Sequence, residues 1–449
     1  MSKNYQTTTR RARTGRTTPK KARPDPVRAT YESAITLPDS VTLSIAELAG
    51  DLQEGLLAFV VGAGMKTLDV LLEADATALA GPKGRHDPNR SAVRHGTDDG
   101  LVTLGGRQVT IRRPRLRSAD KSAEVTLPTY EWASSTELLG RETLARMMAN
   151  LSCRHYRVGL EPMGQAIGAR SRSTSKSAVS RRFVAMTESA LAELMSADLS
   201  ALDLVAIMID GANFGDYLLV VALGIAVDGT KVPLAVVEGD TENATVVKRL
   251  LVGLRERGLD VTCPTLFVID GSTALPPAIK AVFDHPVIAR CHEHKVRNVR
   301  SHLPKDVARI VERRMRAAYK NPDALAGQGD LEALAKELER THPGAAKSLR
   351  EGLAETFTIA RLKVPPTLAR TLRSTNAIES MIDICKAHAR NVKRWRDGTM
   401  ALRWCAAGMA EAAKQFHRVQ GYLHLRALRT ALEATVTPTA YAARKEVAA

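Results

Sequence analysis

Leu204-Val-Ala-Ile-Met-Ile-Asp210-Gly211 and Leu266-Phe-Val-Ile-Asp270-Gly271 are two apolar runs that close on the same pair of residues, and their reading decides the fold. Continuous runs rich in Val and Ile suit strands buried on both faces, and each of these delivers an aspartate, followed by glycine, to a strand end. A carboxylate there is held in a dry, rigid place. Between the two, residues Asp216 to Glu238 carry Asp228-Gly229 between apolar runs, a strong hairpin signal. A helix is predicted from Asn243 to Arg257, with Val246, Val247, Leu250, Leu251 and Leu254 as its apolar stripe. The order is strand ending in aspartate, hairpin, helix, strand ending in aspartate, an α/β arrangement.

This order resembles the ribonuclease H-like core of DD(E) transposases, and two further stretches narrow the likeness. Arg290-Cys291-His-Glu-His294-Lys295-Val-Arg297-Asn298 resembles the Cys-x-x-His-Lys-x-Arg-Asn block of Mutator-type bacterial insertion-sequence transposases. Arg373-Ser-Thr375-Asn376-Ala-Ile378-Glu379 resembles their Thr-Asn-x-Ile-Glu block. The likeness spans roughly residues 90 to 415, with Ala289 where the family often has Gln and Ser374 where it often has Thr. It implies a ribonuclease H-like mixed sheet with an all-helical insertion, preceded by a mainly helical DNA-binding region that contains a β-hairpin. It also implies a catalytic set of Asp210, Asp270 and Glu379 holding two divalent cations, Mg²⁺ or Mn²⁺. Cys291, His294, Arg297, Asn298 and Asn376 would support that set. The implied partner is double-stranded DNA, at element ends and target, bound by a homodimer or higher homo-oligomer.

Composition bounds these expectations. A chain of 449 residues exceeds the usual limit of a single core and should divide into two to four domains. A formal charge of +17, with Lys and Arg recurring throughout, favours a polyanionic partner over a small acidic substrate. No apolar run approaches membrane-spanning length and the basic N-terminus lacks a following apolar core, so the expected location is the cytoplasm, on the nucleoid. Five scattered cysteines argue against a disulfide framework.

Residues 1 to 38 read as a disordered basic arm, since the first 30 carry nine Lys or Arg against one acid and almost nothing apolar. Residues 39 to 200 read as the DNA-binding region. Two helices are expected there, from Ile45 to Val61 and from about Lys66, separated by Gly62-Ala-Gly64. A hairpin follows over 101–117, whose turn and second strand carry five arginines, with Arg112, Arg113 and Arg115 as candidate phosphate contacts on an exposed ribbon. A helical pattern from Ser135 precedes a stretch near 160–185 that reads as a helix-turn-helix, with Arg181 and Arg182 facing DNA. The core is expected over 201–300 and 371–420, split by a helical insertion over 301–370, with a C-terminal helix and tail over 421–449.

Phosphoryl transfer on DNA needs an activated hydroxyl and a stabilised leaving oxygen, and divalent ions held by carboxylates can supply both. For Glu379 a rival reading is a capping box with Asn376, which needs no metal. On its helix Ile378, Met381, Ile382, Cys385 and Ala389 form a core stripe, while Glu379, Asp383, Lys386, Arg390 and Lys393 share a face that begins acidic and ends basic, as suits bound DNA. Cys291 and His294 have the spacing of half a zinc site, but no second pair stands at a matching spacing. Trp404 reads equally as a core residue or a base-stacking one. The function expected is binding of terminal inverted repeats with metal-dependent cleavage and strand transfer. Its rivals are an inactive DNA-binding relic that represses the element, or a structure-specific nuclease.

Overall fold

The computed structural model describes residues 55–85, 90–241 and 243–436. The arm expected over 1–38 and the start of the helix expected from Ile45 lie outside the described residues. Leu56–Ala80 is one continuous helix, α1, so the break expected at Gly62-Ala-Gly64 does not occur. Glycine in a helix costs only about 1 kcal/mol relative to alanine. Leu72, Ala76 and Ala80 pack into a shared core with Val102, Val109 and Ile111 of the neighbouring hairpin, and that burial overrides the local preference.

The hairpin is longer than its sequence signal. Strands β1 (Ala92–Leu104) and β2 (Arg107–Ser118) pair antiparallel around Gly105-Gly106, whose φ values of 53° and 78° give the doubly left-handed turn that matches strand twist. Tyr156 donates to the Gly106 carbonyl at 2.8 Å, and a Cβ on Gly106 would stand 2.7 Å from the same hydroxyl. Short strands β3 (Glu124–Val125) and β4 (Ser171–Arg172) both join β2. Around this sheet run α2 (Pro128–Ala133), α3 (Thr136–Met148), α4 (Gln165–Ala169) and α5 (Lys176–Ser196). In the interval read as helix-turn-helix, α4 is a single five-residue turn and β4 separates it from α5. Ser175 caps α5, accepting from the Ala178 N–H at 3.3 Å.

The second sheet is mixed, in the order β7-β6-β5-β8-β9. Strands β5 (Leu204–Phe214), β6 (Tyr217–Ala226) and β7 (Lys231–Glu238) are antiparallel neighbours; β8 (Thr265–Ile269) and β9 (Pro286–Arg290) continue from β5 in parallel. Successive side chains of a strand point to opposite faces. Ile207 and Ile209 of β5 accordingly join the core on one face with α6 (Ala244–Glu256) and α7 (Leu275–Lys280), while Met208, Ala212 and Phe214 join the other. Asn243 caps α6 by accepting from Thr245 and Val246 N–H, and the expected stripe is buried at Val247, Leu250, Leu251 and Leu254 and half-buried at Val246.

From β9 the chain runs through helices α8 (His292–Ser301), α9 (Lys305–Ala318), α10 (Ala324–Glu339), α11 (Pro343–Arg350), α12 (Leu353–Thr356) and α13 (Thr358–Arg361). These build a separate core from Val296, Val311, Met315, Leu331, Leu334 and Leu349. Helix α9 buries Ala308, Val311 and Met315, while Ile310 is 53% exposed. The chain then returns as α14 (Pro366–Leu372), α15 (Asn376–His388), α16 (Gly398–Ala413) and α17 (Leu425–Glu433), covering the face of the mixed sheet that holds Met208 and Phe214. Among the described residues no helix is long and apolar enough to cross a membrane.

Candidate active site

Asp210 is placed by strand register. It has the parity of Met208 and Ala212, so its side chain points to the face covered by α15 and α16. It is not at a strand end, as its sequence suggests: β5 continues to Phe214, and Asp210 pairs with Val221 of β6. On its other side the pairing with β8 stops at Ile209 and Ile269, so Asp210 and Asp270 both lie just past the end of the parallel ladder. The antiparallel partner β6 outlasts β8, and that is why the strand runs on.

Asp270 follows β8 directly and its turn is held from several sides. Its Oδ1 accepts from the Ser272 N–H at 3.0 Å, and the Ser272 hydroxyl is anchored on the Thr241 carbonyl at 2.8 Å. Arg290 donates to the Gly271 carbonyl at 3.1 Å, and a Cβ on Gly271 would stand 2.7 Å from Asn298 Nδ2, so only glycine lets Asn298 close on the turn.

Glu379 sits in the first turn of α15. Thr375, rather than Asn376, occupies the cap position, and no side chain caps the helix. The capping box weighed for Asn376 and Glu379 is therefore not formed. Thr375 instead donates its hydroxyl to Glu379 Oε1 at 2.9 Å and lies 3.3 Å from His294 Nδ1 and 3.5 Å from Cys291 Sγ. His294 Nε2 stands 3.6 Å from Glu379 Oε1. Thr375 is thus the hub joining the two sequence blocks. Its place in the second block was visible in the sequence, but its bonding needed the tertiary fold.

The electrostatics tie these groups together. Burial, reinforced by the charge of Asp270 and further by Glu379, pushes Asp210 up to about 6, against the opposing Gly211 N–H and His294. A hydrogen bond to Cys291 raises His294, with the thiol, Asp210 and Glu379 adding to it against burial. Burial opposes ionisation of Cys291, but hydrogen bonds from His294 and from the Thr375 backbone outweigh it and hold the thiol below its ordinary value. Each carboxylate has an oxygen engaged locally, and among the described residues no group of three or more His, Cys, Asp or Glu side chains stands at metal-holding distances.

The raised Asp210 has a consequence for stability. Between the ordinary value near 3.8 and about 6 the folded state binds more proton than the unfolded one, so stability falls as pH rises through that window and the full penalty is present above it. With EDTA present, Asp210→Asn is expected to raise the melting temperature at pH 8, by the equivalent of up to about 3 kcal/mol, and to change it little near pH 4. Thermal melts at the two pH values check this, and equal shifts at both would remove the electrostatic explanation.

The remaining candidates separate into free and engaged groups. Arg112 is exposed, bonded through Nε to Thr97 at 2.9 Å. Arg113 and Arg115 both reach Glu124 on β3, and Arg113 also lies 4.2 Å over the Tyr130 ring. Arg107 is buried and donates to the Glu161 carbonyl, so the ribbon does not expose five arginines; an alternating strand turns some of them inward. Arg181 is exposed, whereas Arg182 is half-buried, bonding Ser173 O at 2.7 Å and Thr143 Oγ1 at 3.1 Å, which ties α5 to α3. The core stripe Ile378, Met381, Ile382, Cys385 and Ala389 is buried, and Asp383 and Lys386 are exposed. Helix α15 ends at His388, so Arg390 and Lys393, both exposed, lie beyond it rather than on its face. Arg297 and Asn298 on α8 and Asn376 at the start of α15 are exposed.

Trp404 is a core residue, 4% exposed, packed at 4.6 Å from Phe183. The tryptophan that reaches the strand end is Trp395: it lies edge-on to Phe214 at 5.4 Å, and a Cβ on Gly215 would meet its ring at 2.4 Å. Its setting between Arg394 and Arg396 was the sequence signal for it.

Comparison with known proteins decides the family. A family model described as "Transposase, Mutator family" matches residues 44–419. The chain belongs to that family. It is 26% identical to the transposase for insertion sequence element ISRM5 of Rhizobium meliloti over 368 residues, which cover 80% of this chain and 89% of the relative. Over 189 residues, 41% of this chain and 57% of the relative, it is 30% identical to the transposase for insertion sequence element IS6120 of Mycolicibacterium smegmatis. A 22% likeness to the transposase for IS1201 of Lactobacillus helveticus again spans 70% of this chain and 84% of the relative. These relatives are insertion-sequence transposases, and the family match takes in both sheets and the helical interval between Arg290 and Thr375.

Proposed function

We propose that this chain is a DD(E) transposase with a ribonuclease H-like core that binds the terminal inverted repeats of its own element and carries out metal-dependent cleavage and strand transfer of DNA. The observation that carries the reading is the convergence of charge: parallel strands β5 and β8 bring Asp210 and Asp270 to one end of the mixed sheet, and both Asp270 and Glu379 act on the ionisation of Asp210. The strand order β7-β6-β5-β8-β9, three antiparallel neighbours followed by two parallel ones, supports the ribonuclease H-like assignment.

The donor set suits a hard divalent cation, because all three groups are carboxylates, and burial, with the charges of Asp270 and Glu379 adding to it, raises Asp210. Asp210, Asp270 and Glu379 would hold two such ions, Mg²⁺ or Mn²⁺, which would supply activation of the attacking hydroxyl and stabilisation of the leaving oxygen. The rest falls to the protein. Thr375 fixes the Glu379 carboxylate, Arg290 fixes the Asp270 turn with the Asn298 side chain lying against Gly271, and His294 places a hydrogen-bonding ring beside Glu379. Exposed Arg112, Arg181, Lys386, Arg390 and Lys393 supply phosphate contacts, to which Arg113 and Arg115 add what Glu124 leaves uncompensated. Two element ends require two such sites, which favours a homodimer or larger assembly on DNA.

The test is incubation of purified protein with labelled element-end duplex, a target plasmid and Mg²⁺. Cleaved ends covalently joined to target are expected. Hydrolysis without joined product would favour a nuclease, and binding without cleavage an inactive relic.

A further inference from the structure

A cavity of about 500 Å³ opens between the helical insertion and the turn that starts α15. One side carries Arg316 and Lys320 at the end of α9; the other carries Arg370 of α14, then Arg373 and Asn376. Arg316 is already satisfied, bonding both oxygens of Glu293 at 2.8 and 2.9 Å and Glu312 at 2.9 Å. Lys320, Arg370 and Arg373 have no acidic partner among the described residues. Three uncompensated cations around one cavity select an anion. The rings in its wall, His292 and Tyr319, are stacked on each other at 3.9 Å, and Tyr319, 7% exposed, also packs against Phe357 at 5.5 Å, so little ring surface is open to a base or another planar ligand. The cavity therefore suits a phosphate group rather than a nucleobase.

Its position specifies which phosphate. The wall between the cavity and the carboxylates is two chain segments thick, Cys291–His294 and Arg373–Asn376, joined by the His292 N–H donating to the Arg373 carbonyl at 2.9 Å. His292, Ser374 and Asn376 line the cavity, while Thr375 and His294 between them contact Glu379. We propose that this cavity seats a backbone phosphate of the strand being cut, a short distance along the chain from the phosphodiester presented to Asp210, Asp270 and Glu379. The assignment rests on the transposase reading. Arg373 and Lys320 grip this phosphate from opposite sides, and the helical insertion thereby takes part in holding the substrate strand.

The experiment uses the full chain and the double variant K320A/R373A. Neither residue makes an ion pair among the described residues, so thermal unfolding should match wild type. Affinity for element-end duplex is titrated against salt, and the slope of log affinity on log salt is expected to be shallower by about one in the variant. In parallel, single neutral methylphosphonate linkages are walked along both strands. In wild type one linkage near the cleavage site should weaken binding several-fold, and that position should lose its effect in the variant. R373K should retain the wild-type pattern. An unchanged slope, or the same interference pattern in wild type and variant, overturns the proposal. So does competition by inorganic phosphate at constant ionic strength without any change in the interference pattern, which marks a site for the free anion. A wild type that neither binds nor cuts element ends defeats the transposase reading, and this proposal with it; a wild type that cuts normally, with the variant indistinguishable from it, defeats this proposal alone.

Discussion

Asp270→Asn is expected to lower cleavage of element-end DNA by about a thousand-fold or more, while the fold and the affinity for DNA survive. Asparagine keeps the size of the side chain, and its carbonyl oxygen can still accept from the Ser272 N–H that the aspartate Oδ1 uses at 3.0 Å. What it removes is the negative charge that attracts a hard cation, worth several kcal/mol in the transition state. Relief of repulsion toward the DNA phosphates can tighten binding slightly. Glu379→Gln should behave in the same way, because its carbonyl still accepts the Thr375 hydroxyl now bonded to Oε1 at 2.9 Å. If Glu379 only positioned Thr375, the amide would serve as well and cleavage would be nearly intact. Cleavage assays in Mg²⁺ beside gel-shift titrations of the same duplex separate these outcomes. Robust cleavage by Glu379→Gln would take that residue out of the site, and robust cleavage by both variants would end the DD(E) assignment.

The second large effect concerns stability. Lys295 is 1% exposed and donates to the Ser348 carbonyl at 2.7 Å, to the Glu351 carbonyl, and to the Glu351 carboxylate at 3.4 Å. Arg290, 6% exposed, is bound by Glu351 at 2.6 Å and by Glu355, and still reaches the Gly271 carbonyl. Gly352, at φ 59°, leaves the room this needs, since a Cβ there would fall on the guanidinium. Two buried cations and two carboxylates thus join the helical insertion to the turn that carries Asp270. Glu351→Ala leaves Lys295 with backbone carbonyls only and Arg290 with Glu355 as its one carboxylate; breaking a buried pair from one side costs about 3–5 kcal/mol, and the partial exposure of Glu351 and these remaining partners place the expected loss near the lower end. The loss should appear as faster amide exchange over 290–301 and 343–356, with α6 unaffected. Unchanged exchange there would show that the cluster contributes nothing to holding the insertion on the core.

Much of the core was legible because its signals are local. Continuous Val and Ile runs closed by Asp-Gly placed β5 and β8, the Asp228-Gly229 turn placed the β6–β7 hairpin, and the i, i+3, i+4 spacing of Ile378, Met381, Ile382 and Cys385 fixed the buried face of α15. These follow from backbone periodicity and turn chemistry, which a sequence carries in full. The two blocks beginning at Arg290 and Arg373 pointed to the family before any contact between them was known.

What the tertiary structure decided is everything set by a neighbour distant in sequence. The run of β5 past Asp210 depends on β6 outlasting β8; α1 passes through two glycines because the hairpin packs along it; Arg113, Arg115 and Arg182 read as free surface charge, yet Glu124, Ser173 and Thr143 engage them. Thr375 could have capped its own helix, and only the approach of Cys291 and His294, about 80 residues earlier, turns its hydroxyl toward Glu379. The cation cluster at Lys295 has the same origin. A buried charge is stable only where its partners are brought to it, and the pairing of residues some 56 to 65 positions apart is fixed by packing, on which a single sequence's local pattern is silent.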